Sequence, residues 1–147
     1  MSKKYLLVLL TAFLIVFLDQ LTKFFIKNNF QLNQSTPIIK NILHITYITN
    51  TGSAFGLFKG LNWFFIFFSI IVISAIFYFI NQIGNNEKMM QLSVGLVLGG
   101  TIGNLIDRIA YGAVIDFIDF RIWPVFNVAD SAVTISVVLL ITLLWKK

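Results

Sequence analysis

Two acidic residues, Asp116 and Asp130, flank one short loop between apolar stretches of membrane length. An ionisable side chain in or near a bilayer carries a high free-energy cost, so its presence there points to a function. If the two carboxyl groups converge, burial and mutual repulsion favour one protonated and one ionised group near neutral pH. The ionised group can take a proton from water while the protonated one polarises a carbonyl. This chemistry requires water, so we expect the pair at the outer membrane interface and not at the midplane.

Each aspartate taken alone has a simpler interpretation. Asp130 begins the last apolar stretch, so it is either a helix N-cap or first-turn residue, or an ion-pair partner of Arg108 or Arg121. Asp116 lies in an apolar segment, and if that segment is extended, Asp119 points to its opposite face. The pair is therefore a stronger indication of chemistry than either residue alone.

The composition indicates a polytopic membrane protein with one domain, residues 1–147. Hydrophobic residues make up 58% of the chain and charged residues 12%, and the mean hydropathy is +0.88. Soluble domains are typically about 25% charged. The net charge of +5 favours contact with anionic lipid over nucleic-acid binding, because no basic stripe with interleaved aromatic residues is present.

The residue inventory also excludes several kinds of site. The chain has no cysteine, which excludes disulfides, thiolate nucleophiles and cysteine-based metal sites. It has one histidine, His44. A histidine-rich metal site or a serine–histidine–aspartate arrangement is therefore a strained interpretation of this sequence. We therefore expect no metal and no cofactor.

Four segments approach the length of about 20 residues that a membrane-spanning helix needs. They are Tyr5–Ile26, Leu61–Ile80, Met89–Ile106 and Val128–Trp145, with outer connections at 27–60 and 107–127. Four spans place both termini on one side of the membrane, but the distribution of lysine and arginine does not decide which side. Gly95, Gly99 and Gly103 form a small-residue face on the third span, which favours close helix packing.

The first outer connection carries a strand pattern. Residues Ile38–Thr49 are rich in β-branched and aromatic side chains and predict a strand. Asn50–Ser53 is a turn signal, and Ala54–Phe58 is a candidate return strand. We therefore expect a small sheet on the membrane surface.

Two further polar groups lie on the predicted helices. Asp19 and Lys23 are four residues apart and share a helix face, so they form a structural ion pair, contact the substrate, or do both. Asn104, Asp107 and Arg108 also share one side of a helix. The Arg108 guanidinium is a plausible partner for a carboxylate or a lipid phosphate, and the alternative is a polar cluster at the helix end.

Five sequence blocks, in order along essentially the whole chain, resemble those of the bacterial lipoprotein signal peptidases, or signal peptidase II. The blocks are Asp19–Lys23, Asn50–Phe55, Gly99–Arg108, Val114–Asp119 and Phe126–Ser131. The resemblance implies an aspartic endopeptidase that removes the signal peptide from diacylglyceryl-modified prolipoproteins by cutting before the lipidated cysteine. The family's catalytic dyad corresponds to Asp116 and Asp130. Its substrate-binding or supporting residues correspond to Asp19, Lys23, Asn50, Gly52, Asn104, Asp107, Arg108 and Asn127.

The resemblance also implies a fold and a location. The fold is an integral membrane, mainly α, arrangement of four transmembrane helices with a small extracytoplasmic β-cradle and a short surface helix. The protein would lie in the bacterial cytoplasmic membrane, with both termini cytoplasmic and the active site on the outer face. Its partners would be the prolipoprotein and membrane lipid, with inhibitors of the globomycin type, and we expect a monomer.

Three other functions are alternatives to an aspartic peptidase. A small proton-coupled transporter would place its key carboxylate near mid-span among broken or repeated helices, whereas here the acids cluster at one end of their spans and no internal repeat is visible. A hard-cation site would use Asp107, Asp116, Asp119 and Asp130. A serine–lysine peptidase would use Ser53 and Lys59.

Overall fold

The computed structural model describes residues 3–52 and 60–145 and contains four long helices and a small sheet. The helices are α1 (Lys3–Asn29), α2 (Asn62–Phe79), α3 (Lys88–Tyr111) and α4 (Val128–Trp145). A 3-10 turn at Ile80–Gln82 follows α2 directly. The strands are β1 (Ser35–Ile39), β2 (Leu43–Asn50) and β3 (Val114–Asp119).

All four helices are long and apolar enough to cross a membrane, which confirms the predicted membrane architecture. Their outward surfaces carry large apolar side chains, for example Phe13, Trp63 and Phe67, which are 68%, 81% and 64% exposed. Charged and polar side chains such as Asp19 and Lys23 are instead buried between the helices. This distribution suits a lipid environment, where an apolar surface needs no covering and polar groups need internal partners.

Helix α3 is the centre of the bundle and packs against α1, α2 and α4. Its glycines permit this close approach, as the small-residue pattern predicts. A Cβ atom at Gly99 would lie 2.8 Å from the Ala12 carbonyl oxygen of α1, and one at Gly100 would lie 2.5 Å from the Ala129 carbonyl oxygen of α4. Both distances are too short for an additional carbon atom, so α3 contacts two neighbouring backbones at once.

The third span extends further than the sequence pattern predicted. Helix α3 continues beyond Ile106 to Tyr111 and ends at Gly112, whose φ of +73° is the left-handed conformation typical of a helix C-cap. Asp107 and Arg108 therefore lie inside the helix, as their spacing with Asn104 predicts, although the span boundary at Ile106 left them in the outer connection. The hydropathy pattern predicts too early an end for the span, because these two charged side chains lower the local mean hydropathy although both are buried.

The sheet has the strand order β1–β2–β3, and both pairs are antiparallel. The prediction of one strand over Ile38–Thr49 was wrong, because the chain turns back between β1 and β2. Asn41 allows this turn with a φ of +62°, which asparagine tolerates better than other non-glycine residues. Strand propensity alone does not reveal this turn, because the surrounding residues are β-branched.

The sheet packs against the C-terminal end of α1 and lies beside α3. Ile115 and Phe117 of β3 form a buried cluster with Ile26 near the end of α1, and Tyr47 of β2 packs against it. At the end of β2, the Gly52 N–H donates to the Asn50 side-chain oxygen at 2.9 Å, which agrees with the predicted turn signal. The sheet thereby places β3 directly beside α3 and α4.

Some predictions fall outside the described residues. Ser53, Lys59 and the candidate strand Ala54–Phe58 belong to this group. The described part of the first outer connection, 30–52 with Gly60, contains the two strands and no helix. The short surface helix therefore stays a prediction.

Candidate active site

A cavity of about 650 Å³ lies between the sheet and helices α2, α3 and α4. Asp116 from β3 and Asp130 from α4 both line it, so the fold brings together the two carboxyl groups that the sequence singled out. Asn50, Asn104 and Arg108 also line the cavity. The remaining wall is largely apolar and aromatic, with α2 contributing Phe65, Phe68 and Val72. The cavity therefore combines a polar end at the sheet with an apolar groove between α2 and α4.

Asp116 is 1% exposed and is held by two side-chain amides. Its Oδ1 accepts a hydrogen bond from Asn127 Nδ2 at 2.7 Å, and its Oδ2 accepts one from Asn50 Nδ2 at 3.1 Å. Burial, reinforced by the nearby charge of Asp130, raises the pKa of Asp116 to about 7. A carboxyl group in this state can hold a proton at neutral pH.

Asp130 lies in the first turn of α4 and forms a capping box with Asn127. The Asp130 N–H donates to Asn127 Oδ1 at 2.8 Å, and the Asn127 N–H donates to Asp130 Oδ2 at 3.3 Å. The side chain of Asp130 also accepts from Asn104 Nδ2 at 2.8 Å through its Oδ1. The first-turn interpretation is confirmed, and the same residue also lines the cavity, so the two interpretations of Asp130 are compatible.

Asn127 connects the two aspartates directly. Its side-chain nitrogen donates to Asp116, while its backbone N–H and side-chain oxygen bond to Asp130. The Asn127 side chain is fully buried, so these bonds do not compete with bulk water. One short side chain therefore sets the relative position of a strand carboxyl and a helix carboxyl.

Behind the dyad lies a buried ion triad. Lys23 Nζ is 2.7 Å from Asp19 Oδ2 and 2.9 Å from Asp107 Oδ2, and all three side chains are at most 2% exposed. This confirms the predicted Asp19–Lys23 pair. Lys23 also donates to Asn104 Oδ1 at 3.0 Å. Within the described parts of the chain, the cavity wall does not include the triad, which favours a positioning role over substrate contact.

The two acids of the triad hold the backbone that carries the dyad. Asp19 Oδ1 accepts a hydrogen bond from the Ala129 N–H at 3.0 Å, next to Asp130. Asp107 Oδ2 accepts one from the Ile115 N–H at 3.0 Å, next to Asp116. Each carboxylate of the triad therefore fixes the residue that precedes one member of the dyad.

Sequence reasoning assigned no role to Gln20, although it lies in the first motif block. Its Nε2 is 3.0 Å from Asp107 Oδ1, 3.1 Å from the Gly103 carbonyl oxygen and 3.2 Å from Asp19 Oδ2. Gln20 therefore links both acids of the triad to the backbone of α3. One feature of the sequence could have indicated this role: Gln20 is a neutral amide inside an apolar span, where polar groups are costly without partners.

Arg108 lines the cavity beside Gly52 and Phe65. Its Nη2 donates to the Gly52 carbonyl oxygen at 2.9 Å, and its guanidinium carbon lies 4.4 Å from the centre of the Phe65 ring. The side chain is 8% exposed, yet Nη1 has no hydrogen-bond partner among residues 3–52 and 60–145. A buried guanidinium nitrogen without a partner is costly, so a ligand oxygen in the cavity would satisfy it.

Asp119 lies apart from the dyad on the other face of β3. Its Oδ2 accepts hydrogen bonds from Thr46 Oγ1 at 2.7 Å and from Arg121 Nη1 at 3.0 Å, and its Oδ1 accepts from the Arg121 N–H at 2.8 Å. Burial alone would raise the pKa of Asp119, but these bonds together lower it below its usual value. Arg121 therefore pairs with Asp119 and not with Asp130.

The proposed hard-cation cluster does not assemble. Asp107 is bonded in the ion triad and Asp119 faces Thr46 and Arg121. In residues 3–52 and 60–145, no three histidine, cysteine or acidic side chains are arranged to hold a metal ion. His44 lies outside the cavity wall and contacts Ser35 Oγ through Nδ1 at 3.2 Å.

Comparison with known proteins identifies the family. Residues 11–146 match the model of the family described as Signal peptidase (SPase) II. The chain belongs to the signal peptidase II family. It is 44% identical to the lipoprotein signal peptidase of Halothermothrix orenii over 96% of this chain and 97% of that protein. It is 43% identical to the lipoprotein signal peptidase of Moorella thermoacetica, over 90% and 88% of the two chains.

Solved structures of bacterial membrane enzymes share the fold. One, determined by the in meso method at 2.3 Å resolution, has a TM-score of 0.89 and 39% identity and covers 95% of this chain and 87% of its own. A second, at 1.9 Å resolution, has a TM-score of 0.87 and 38% identity. The chain is thus a multi-span membrane protease of signal peptidase II type, and no finding supports the transporter alternative.

Proposed function

We propose that this protein is an aspartic endopeptidase that removes signal peptides from diacylglyceryl-modified prolipoproteins, cutting before the lipidated cysteine. The observation that carries the proposal is the pair of carboxyl groups, Asp116 and Asp130, joined through Asn127 at the wall of one cavity. Both are members of motif blocks that the family resemblance assigns to catalysis. The names of the curated relatives support the substrate class.

Peptide hydrolysis by this pair needs one proton and one water molecule. The ionised carboxylate takes a proton from water as the water oxygen attacks the scissile carbonyl carbon. The protonated carboxyl group donates its proton to the carbonyl oxygen, which relieves the developing negative charge. The raised pKa of Asp116 makes a singly protonated dyad possible at neutral pH.

The rest of the cavity is suited to an acylated peptide. The aromatic and aliphatic side chains of α2 that line it, including Phe65, Phe68 and Val72, offer an apolar surface to acyl chains and apolar residues. Arg108 Nη1, which has no hydrogen-bond partner among the described residues, would donate to a carbonyl oxygen of the substrate near the dyad. Asn50 and Gly52 form the turn that Arg108 holds at the cavity edge.

The same proposal covers location and partners. Residues 1–147 would act as a single peptidase domain in the bacterial cytoplasmic membrane, with both termini cytoplasmic and the dyad on the outer face. This orientation brings the substrate's membrane-embedded acyl chains to the groove between α2 and α4. We expect the protein to act as a monomer, and inhibitors of the globomycin type to occupy the cavity.

Cleavage of synthetic precursors by the purified protein in detergent tests the proposal. Asp116→Asn and Asp130→Asn should each abolish cleavage of a diacylglyceryl-modified precursor while insertion and thermal unfolding remain close to those of the parent. A matched precursor without the lipid should be a poor substrate. Retained cleavage in either variant contradicts the dyad, and equal cleavage of both precursors contradicts the lipid requirement.

A globomycin-type inhibitor gives an independent check of the site. It should protect the parent protein against thermal unfolding and block cleavage of the lipidated precursor. Asp119→Asn, on the other face of β3, is the matched control and should retain both responses. Protection that persists without inhibition of cleavage would place the inhibitor outside the active site.

A further inference from the structure

The two asparagines beside the dyad have fixed orientations because they contact groups of fixed polarity. Lys23 has only N–H donors, so the side-chain oxygen of Asn104 must face it, at 3.0 Å. The side-chain nitrogen of Asn104 must then face Asp130, to whose Oδ1 it donates at 2.8 Å. The buried ammonium group therefore determines that Asp130 receives an N–H donor.

Asn127 is fixed by backbone groups in the same way. The Ile115 carbonyl oxygen can only accept and lies 3.2 Å from Asn127 Nδ2, whereas the Asp130 N–H can only donate and lies 2.8 Å from Asn127 Oδ1. The Asn127 side-chain nitrogen must therefore point towards Asp116. Neither asparagine can rotate its amide by half a turn without placing two like groups together.

The charges around the dyad do not by themselves distinguish its two members. Lys23 of α1 and Arg108 of α3 face both Asp116 and Asp130 with positive charge. Asp107 of α3 faces Arg108, and Asp19 faces Lys23. Strand β2 contributes the neutral Asn50, and α2 contributes the neutral wall of the cavity. The difference must come from the elements on which the two aspartates are placed.

The helix terminus supplies that difference. Asp130 lies in the first turn of α4, where the helix dipole favours a negative charge. One of its oxygens accepts a backbone N–H from the N-cap residue, Asn127. Asp116 lies on a strand, which has no comparable dipole, and it accepts only side-chain amides among the described residues. An ionised carboxylate is therefore more stable at Asp130 than at Asp116.

We propose that the chain Lys23–Asn104–Asp130, together with the first turn of α4, keeps Asp130 ionised and leaves the single proton of the dyad on Asp116. Asp130 is then the general base, Asp116 is the general acid, and Asn104 is a positioning residue that acts through Asp130. This inference rests on the proposed function, since it assigns roles within the proposed catalytic dyad. The protonation of Asp116 agrees with its deep burial.

The assignment gives a balanced reaction. Asp130 takes one proton from water, the water oxygen bonds to the carbonyl carbon, and Asp116 gives its proton to the carbonyl oxygen. The resulting diol returns a proton to Asp116, Asp130 gives its proton to the amide nitrogen, and the carbon–nitrogen bond breaks. The products are a carboxylic acid and an amine, and both aspartates regain their starting states.

Carboxyl-carbon NMR of the full chain in detergent micelles tests the assignment directly. The chain has six acidic residues, one of which is Glu87, so selective ¹³C labelling of aspartate carboxyl carbons gives five resonances. Loss of one resonance in each Asp→Asn variant identifies its residue. In the parent protein, the Asp116 resonance should lie at the protonated position below about pH 7 and move to the ionised position above it. The Asp130 resonance should stay at the ionised position throughout this change.

Two results would overturn the assignment. The first is an Asp130 resonance at the protonated position while Asp116 is ionised, and the second is a joint movement of both resonances that indicates an equally shared proton. Cleavage assays on the two Asp→Asn variants separate this inference from the proposed function. If the variants are inactive and the NMR is reversed, only the assignment fails, whereas active variants refute the proposed dyad itself.

The positioning role of Asn104 has its own test. In Asn104→Ala, Asp130 loses the donor at its Oδ1, so the acidic limb of the pH–rate profile should move to higher pH while the alkaline limb stays in place. Ser136→Ala on α4 is the matched control, because Ser136 is buried and, among the described residues, its hydroxyl bonds only to the Val133 carbonyl oxygen of its own helix. A uniform loss of rate at every pH in Asn104→Ala would contradict the role. If that variant does not fold, the NMR of the parent protein still decides the assignment.

Discussion

Strand β3 carries two aspartates whose surroundings give them opposite chemistry. Asp116 is buried against the cavity, accepts two asparagine amides, and has its pKa raised to about 7 by burial and by Asp130. Asp119 on the opposite face accepts a threonine hydroxyl and two N–H groups of Arg121, and its pKa is lowered despite burial. Asp116 can hold a proton because its hydrogen-bond donors are neutral and a second carboxyl group lies nearby. Asp119 stays negatively charged because Arg121 pairs with it.

The comparison shows that burial is a weak criterion for a catalytic acid in this fold. Both aspartates are at most 4% exposed, and both have several hydrogen-bond partners. They differ in the charged group that shifts their pKa values: Asp130 helps to raise the pKa of Asp116, whereas Arg121 helps to lower that of Asp119. Four predictions, in decreasing order of expected effect, test that difference.

The largest expected effect is the contrast in activity between the two faces of β3. Asp116→Asn should lower the rate of precursor cleavage by about 10²- to 10⁴-fold or more, because the proposed general acid is lost. Asp119→Asn should change the rate by no more than a few fold, because it does not line the cavity. Initial rates on one lipidated precursor measure both. A comparable loss in the two variants would remove the distinction between the faces.

A second contrast concerns the ion pairs associated with the two regions. Lys23→Met leaves Asp19 and Asp107 buried without their cation and should lower the free energy of unfolding by about 3–5 kcal/mol. Arg121→Met removes a cation that is 51% exposed and should cost less than about 1 kcal/mol. Thermal unfolding in the same detergent measures both. Equal losses would show that burial does not govern the strength of these pairs.

The pH dependence of cleavage should follow Asp116. Its raised pKa keeps the general acid protonated up to about pH 7, so the rate should fall by roughly tenfold per pH unit above that value. Asp119 affects the free energy of unfolding and not the cleavage rate, and its effect is lost at low pH instead of at high pH. Because its pKa is lowered in the folded state, its stabilising effect is present at neutral pH and is lost as the pH falls through that lowered value. A rate that stays constant well above pH 7 would contradict the role of Asp116.

The smallest expected effect is at the Thr46 hydroxyl. Thr46→Val removes one hydrogen bond to Asp119 but leaves the two from Arg121, so the free energy of unfolding should fall by about 0.5–1.5 kcal/mol. Cleavage of the lipidated precursor should be unchanged. A strong loss of activity would mean that the two faces of the sheet are coupled, which would weaken the comparison.

Much of the fold was predictable because lipid-spanning helices leave a strong signal. The start and end of α4 agree with the apolar stretch Val128–Trp145, and the segment around Asp116 is extended, which is the condition under which the sequence placed Asp119 on the opposite face. The hairpin turn at Asn41 was missed, because one left-handed asparagine is not visible among β-branched neighbours. The end of α3 was missed because hydropathy averages cannot tell a buried Arg108 from a solvated one.

The site was predictable in part from chemistry and in larger part from resemblance. The two aspartates stand out by themselves, since each is a carboxyl group beside an apolar span. Asn127 has no such signal, because an asparagine before a helix is usually no more than a cap, and its bond to Asp116 depends on the packing of β3 against α4. The contacts of Gln20 with Asp107 and Gly103 likewise depend on the packing of α1 on α3.

The capping box of α4 has a consequence for how this protein can be engineered. Serine and aspartate are good helix N-caps, so a stability calculation would rate either as a harmless replacement for Asn127. Neither can donate the side-chain N–H that reaches Asp116 while accepting the N–H of Asp130. A library screened for thermal stability alone would therefore retain such variants, although we expect them to lose catalytic activity. Position 127 should be excluded from stability-based redesign.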